Sequence, residues 1–286
     1  MQGGCIMLVR KIANIAMGQD GAIWGNYLFR FKENGVGTVY SIPEFTQISC
    51  FTLDQADRIA PHSNAVVFGN EFYDPADEFP LLYCNIYNNY AKTENPLKGV
   101  CCVYRLQHNG DTFTSTLVQL IEIGFTEDVR YWRSTDGAND VRPYGNFVID
   151  REKGEYWAFT MRDSDNTSRY FSFDLPKLSD GEMDTDYGVK KVVLKTTDIK
   201  TQFDCPYHHY VQGACFHNGK IYSLEGFGLG AKNAAAMRII DTVTGQQLHH
   251  IPFFDLGLTN EPELIDFSGD TCYYSDAHGN AFILEF

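Results

Sequence analysis

Apolar positions along the chain fall into short runs rich in Val, Ile, Tyr and Phe, and clusters of Gly, Asn and Asp separate the runs. Stretches with the 3.6-residue period of a helix are almost absent, so the pattern predicts an all-β protein of many short strands. Within it one motif recurs: a polar residue, a small or apolar stretch, a turn, and an aromatic strand about ten positions on. Gln19 stands ten residues before Phe29, Gln212 ten before Tyr222, and Glu263 ten before Tyr273. Segments beginning at Asn64 and Tyr144 fit the same template with longer hairpin loops.

Further strand candidates follow each of the five motifs: GTVYSI and QISCFTL, GVCCVYRL and TLVQLI, RYFSFDL and KKVVLK, AMRIID and QLHHIPFF. Four strands per unit is the pattern of a β-propeller blade. The fifth unit ends at NAFILEF with only three strands of its own, and Met7 to Ile12 supplies the fourth. The prediction is therefore a single closed β-propeller over residues 1–286, of five four-stranded blades, with the N-terminal strand completing the last. Closing the ring in this way removes two free sheet edges. A count of six blades would need a degenerate unit hidden in an insertion. The motif steps of 45, 80, 68 and 51 residues place insertions in the second and third units, including Asn85 to Gly99, Phe125 to Val141 and Ser179 to Val189. Their polar, Asp- and Asn-rich composition reads as loops over one face.

Bulk composition narrows the function. Apolar content of 44% and aromatic content of 14% fit a packed domain rather than a disordered chain. The net charge of −14, from 37 acidic and 23 basic residues, opposes binding to nucleic acid or to an anionic membrane. No CxxC pair or zinc-knuckle spacing joins the eight cysteines, and most lie in apolar runs, as expected of buried free thiols in a reducing, cytoplasmic setting. Arg10 and Lys11 interrupt the one short apolar stretch near the N-terminus, so neither a signal peptide nor a membrane helix is expected there, unless an export signal has been trimmed away. A monomer is expected.

The inner strand of each blade borders the central channel, so the motif residue and the one two before it predict a ring: Gln19 with Met17, Asn64 with His62, Tyr144 with Arg142, Gln212 with Tyr210, and Glu263 with Glu261. His208 and His209 lead into the fourth inner strand, and one of them is expected at the same mouth. A polar ring is compatible with a water-filled channel and nothing more. It also suits a small polar ligand, since Tyr faces stack on sugar rings while Arg, Asn, Gln and Glu hydrogen-bond to hydroxyls or carboxylates.

Three chemistries follow. Glu261 and Glu263, with Asn64 and Gln212, offer oxygens for Ca²⁺, although Arg142 opposes a cation, and no metal or cofactor is assigned. Two carboxylates across the mouth suit glycoside hydrolysis, for which Glu225 and Asp276 would join Glu263, while Asp20 has the wrong strand phase. His62 or His209 as base, with Tyr144 and Arg142, suits proton abstraction beside a uronate carboxylate. His62, His209, Tyr144 and Glu263 are thus the catalytic candidates of a lyase or hydrolase. Nucleophile motifs such as GxSxG are missing, and GFGLGAK at Gly226 to Lys232 lacks the Ser/Thr of a phosphate loop.

The phrases QGACFHNGKIYSLEG and EPELIDFSGDTCYYSDAHGNAFIL resemble the inner hairpins of bacterial propellers of the lactonase, NHL and quinoprotein-like group, over about the last third of the chain. Lactonases of that group carry a central Ca²⁺ on Glu and Asn side chains, and Asn64 and Glu263 correspond by position; Arg142 and Tyr144 depart from the pattern. The leading expectation is a soluble propeller that binds a small polar ligand, a carbohydrate or derivative, through His62, Asn64, Arg142, Tyr144, His209, Tyr210, Gln212, Glu261 and Glu263. The alternatives are a protein-interaction scaffold working through inserted loops that carry Tyr131 and Trp132, and a Ca²⁺-dependent hydrolase.

Overall fold

Each apolar strand run has to bury both of its faces, which a lone sheet cannot do, and the fold answers this by packing five small sheets face to face around a ring. The computed structural model describes residues 8–59, 61–86, 97, 99–125, 146–162, 166–206, 210–228 and 234–286. After strand β1 (Leu8–Asn14), the first blade comprises β2 (Gly21–Trp24), β3 (Tyr27–Phe31), β4 (Val36–Ser41) and β5 (Gln47–Thr52), paired in that order. One helical turn, Ala56–Ile59, leads to the second blade of β6 (Val66–Phe68), β7 (Leu82–Asn85), β8 (Val100–Asn109) and β9 (Thr112–Ile123).

The third blade is β10 (Asn146–Asp150), β11 (Glu155–Arg162) and β12 (Thr167–Asp174). After it the chain forms β13 (Glu182–Asp184) and β14 (Val189–Leu194) before returning with β15 (Thr201–Pro206) as that blade's outer strand. The fourth blade holds β16 (Val211–His217), β17 (Lys220–Glu225), β18 (Ala236–Asp241) and β19 (Gln246–Pro252). The fifth holds β20 (Pro262–Ser268), β21 (Thr271–Asp276) and β22 (Asn280–Glu285), and β1 pairs antiparallel with β22 to complete it, Leu8 opposite Glu285 and Asn14 opposite Asn280. The five-blade count and the N-terminal closure are as the repeat predicts.

The strand KKVVLK departs from that prediction. Instead of closing the third blade, β14 runs parallel to β9 in the second, with Lys190 opposite Gln119 and Leu194 opposite Ile123. The hairpin β13–β14 thus makes a six-stranded second blade. Lys191 holds it there, with Nζ 3.4 Å from Glu122 and 3.0 Å from Asp184. The third blade takes the more polar TQFDCP in its place, where Arg169 and Asp204 pair at 2.7 Å across β12 and β15.

The inner strands touch in succession, β2 to β6 to β10 to β16 to β20 and back to β2, which closes the ring. Five buried clusters fill the gaps between neighbouring blades. Period-two alternation divides each inner strand between two of them: Ala22 packs toward the second blade and Ile23 toward the fifth, while Val66 and Phe68 face the first and Ala65 and Val67 the third. Both faces are therefore apolar, and the strands read as continuous hydrophobic runs. This corrects one expectation. Alternate side chains of the inner strands serve the inter-blade cores, not the channel, so the polar residues must be presented at the strand starts. Among the described residues no helix is long and apolar enough to cross a membrane.

Candidate functional site

A regular strand would send the motif residues into the inter-blade cores, and a β-bulge at the start of the inner strands prevents it. In the fourth blade Val211 pairs with Glu225 and Gly213 with Leu224, which leaves Gln212 as the extra residue. In the fifth, Pro262 pairs with Asp276 and Leu264 with Ser275, which leaves Glu263. In the first, Gln19 N–H donates to Phe31 O at 2.7 Å and Phe31 N–H donates to Asp20 O at 3.1 Å, so Gln19 and Asp20 both oppose Phe31. A bulge re-aims a side chain without breaking the sheet. The residues two before the motif are also in register: Tyr210 O accepts from Gly226 N–H at 2.9 Å and Glu261 O from Ala277 N–H at 2.8 Å.

These bulges bring several of the expected residues together at one mouth. Gln212 Nε2 donates to Glu261 Oε1 at 2.5 Å, joining the fourth blade to the fifth. Glu263 is 1% exposed, and its Oε2 has no hydrogen-bond partner among the described residues. Asn64 is buried, and its Oδ1 accepts from Asn85 Nδ2, while Asn85 Oδ1 accepts from Ala65 N–H at 3.2 Å, so this pair is committed to holding the second blade's start. His62 lies half-buried just before it. Tyr210 packs its ring against Phe227 with centroids 4.3 Å apart. Arg142, Tyr144 and His209 lie outside the described residues, as do His208, Tyr131 and Trp132.

Two residues that sequence reasoning passed over complete the cluster. Asp20, set aside for its strand phase, is fully buried in the channel; its Oδ2 accepts from Val66 N–H of the second blade at 3.0 Å. Its Oδ1 has no partner among the described residues and lies 3.3 Å from where a Cβ on Gly213 of the fourth blade would sit. The same Cβ would come within 2.1 Å of Glu263 O, so only glycine lets these inner strands approach. Arg30, 1% exposed, donates from Nη2 to Gly18 O at 2.6 Å and to Asp276 O at 3.1 Å, with Nε and Nη1 unpartnered among the described residues. The sequence signal was present: YLFRF sets a lone charge inside an apolar strand, and a buried charge requires partners.

Burial pushes the carboxyls of Asp20 and Glu263 well above the usual carboxylate range; for Glu263 the attraction of Arg30 opposes this and the repulsion of Glu261 adds to it. Glu261, half-buried, is raised too, chiefly by burial. Asp276, in contrast, is fully engaged: its Oδ2 accepts from Asn260 and Asn280 Nδ2, both at 2.7 Å, and its Oδ1 from Asn280 N–H at 2.9 Å. Glu225, the other acid considered for hydrolysis, lies elsewhere in an ion pair with Arg238 at 2.6 Å and near His250 at 3.2 Å, so it does not join Glu263.

The opposite end of the ring is built as a clasp. Asp266 Oδ2 accepts from Ile23 N–H at 2.7 Å, and Arg151 Nε donates to Phe68 O at 2.8 Å while its guanidinium lies 5.7 Å from the Trp24 ring centroid. These contacts link the first, second, third and fifth blades and leave no unpartnered carboxylate oxygen on Asp266, whose Oδ1 accepts from Phe267 N–H at 2.8 Å.

No family model matches the chain, and no curated protein matches its sequence. Among solved structures, glutaminyl cyclase from Myxococcus xanthus aligns over 98% of this chain and 96% of its own, at 10% identity and a TM-score of 0.51. An oxidoreductase (glucose dehydrogenase) from Thermus thermophilus aligns over 97% and 99%, at 10% identity and a TM-score of 0.48. Hydrazine synthase from Kuenenia stuttgartiensis aligns over 90% of this chain and 61% of its own, at 11% identity and a TM-score of 0.43, so this chain spans less than two thirds of that protein. At such identities the likeness concerns the propeller fold.

Proposed function

We propose that this propeller binds a small polar ligand, a carbohydrate or a derivative of one, at the channel mouth where Gln212, Glu261 and Glu263 meet Asp20 and Arg30. The observation that carries this reading is the Oε2 of Glu263, a buried carboxylate oxygen without a partner among the described residues, on the residue that the bulge takes out of the strand's regular alternation. A buried polar group without a partner costs roughly 1–3 kcal/mol. A hydroxyl-bearing ligand would recover that cost by donating to it. Tyr210, half-buried beside Gln212 and packed against Phe227, places an aromatic residue at the same strand start. Turnover of the ligand would fall to Glu263, whose proton affinity burial raises, the direction that suits a general acid.

The test is a thermal-shift screen of the intact protein against neutral sugars, amino sugars, uronates and nucleotides, repeated on Glu263→Gln. A ligand at a hundred times its dissociation constant adds about 2.7 kcal/mol of stability. A shift with one sugar class that is lost in the variant supports the reading. No shift with any sugar, or a shift that the variant retains in full, contradicts it.

A further inference from the structure

We infer that the ligand carries a protonated amine, so that an amino sugar is the carbohydrate that fits, because among the described residues the mouth gathers the carboxyls of Asp20, Glu261, Glu263 and Asp276 around one guanidinium, that of Arg30, and leaves Asp20 Oδ1 and Glu263 Oε2 without a donor. This rests on the carbohydrate reading above and sharpens it. What the two oxygens lack is a hydrogen-bond donor, and what the cluster lacks is positive charge. A sugar hydroxyl supplies only the first, and an ammonium group supplies both, with three donors to share. A sugar acid would bring a further negative charge to a site already in carboxylate excess.

Arg30 does not redress that excess. Its Nη2 is committed to two backbone carbonyls, Gly18 O and Asp276 O, and its charge is shared among Glu263, Asp20 and Asp276. Among the described residues, other ionisable groups that act on these acids include Asp266, Cys84 and Cys215 at Asp20, Tyr274 at Glu263 and His278 at Glu261. Of these, only His278 can add positive charge, and it acts on the outer acid.

The geometry also fixes a signature. Burial raises the proton affinity of Asp20 and Glu263, and an arriving cation favours their ionised forms, so binding releases protons and tightens as pH rises. A neutral sugar binds without that release.

The experiment is titration calorimetry of the full chain with three probes of one ring size, glucosamine, glucose and glucuronate. It is run between about pH 5 and about pH 7, where an amine is still charged, in buffers of different ionisation enthalpy. The expected result is glucosamine binding at least about tenfold tighter than glucose, from one added charge–carboxylate interaction, with proton release, and glucuronate weakest. In Glu263→Gln and in Asp20→Asn, each checked for native circular dichroism, the preference for glucosamine over glucose falls. Equal binding of glucose and glucosamine, or tightest binding of glucuronate, overturns the amine while leaving the channel as a sugar site. Failure of all three probes at millimolar concentration overturns both readings.

Discussion

Asp20 and Glu263 illustrate how a single side chain can couple the channel to the stability of the whole ring. Both carboxyls bind a proton more tightly in the folded protein than in the unfolded chain. Their contribution is therefore fully present below the ordinary carboxylate pKa and is lost as pH rises toward their raised folded values. Each group then costs up to about 1.4 kcal/mol per pH unit across that window. Asp20→Asn and Glu263→Gln are expected to flatten the fall in Tm from about pH 4 upward, and a fall as steep in both variants as in the parent would refute the assignment. Gly213 is a second residue-scale test. Its Cβ would lie 2.1 Å from Glu263 O, so Gly213→Ala is expected to destabilise by about 1–3 kcal/mol in chemical denaturation. The thiols give a third. Cys50 is exposed, whereas Cys84, Cys101, Cys102, Cys205, Cys215 and Cys272 are buried, the Cys84 thiol being pushed up to about 12. A thiol reagent on the native protein, mapped by peptide mass, is expected to label Cys50 well ahead of these six.

At the scale of elements, the sequence was most readable where a local signal and a tertiary need coincide. The ten-residue spacing of Gln19, Gln212 and Glu263 survives because a bulge followed by a tight hairpin fixes both ends of the count. Strand β14 was unreadable in the same way, since KKVVLK states that a strand forms but not which sheet receives it. Its parallel pairing with β9 is a long-range choice, made as Val192 and Leu194 pack into the core between the second and third blades and Lys191 meets Glu122, which no local pattern records. Strand β15 was missed because TQFDCP is polar on its exposed side. The site divides similarly. Gln212, Glu261 and Glu263 followed from the repeat, but Asp20 did not, because a strict two-residue alternation assigns the wrong direction to a residue beside a bulge. The hairpin β13–β14 covers the outer edge of β9, so deleting residues 179–194 and bridging the ends is expected to expose that edge and promote self-association, read by light scattering.

For the whole molecule, closure is the governing feature. Strand β1 supplies the last edge, and Arg151, Asp266 and Asp20 tie blades that are distant in sequence at the two ends of the channel. Removing residues 1–14 leaves the outer edge of β22 unpaired, and it is expected to lower the denaturant midpoint and increase aggregation relative to the full chain. A closed ring also explains how acids from different blades can be forced together despite their mutual repulsion, since five inter-blade cores hold them in place. The central claim is that this convergence serves a ligand. Its most direct test is a crystal structure of the protein with the sugar that gives the largest thermal shift. Density at the mouth, with a donor of the sugar within hydrogen-bond distance of Glu263 and its ring near Gln212 and Tyr210, is the expected result. Density only at the Arg151 end or on the outer loops, with the mouth holding nothing but water, would contradict the account.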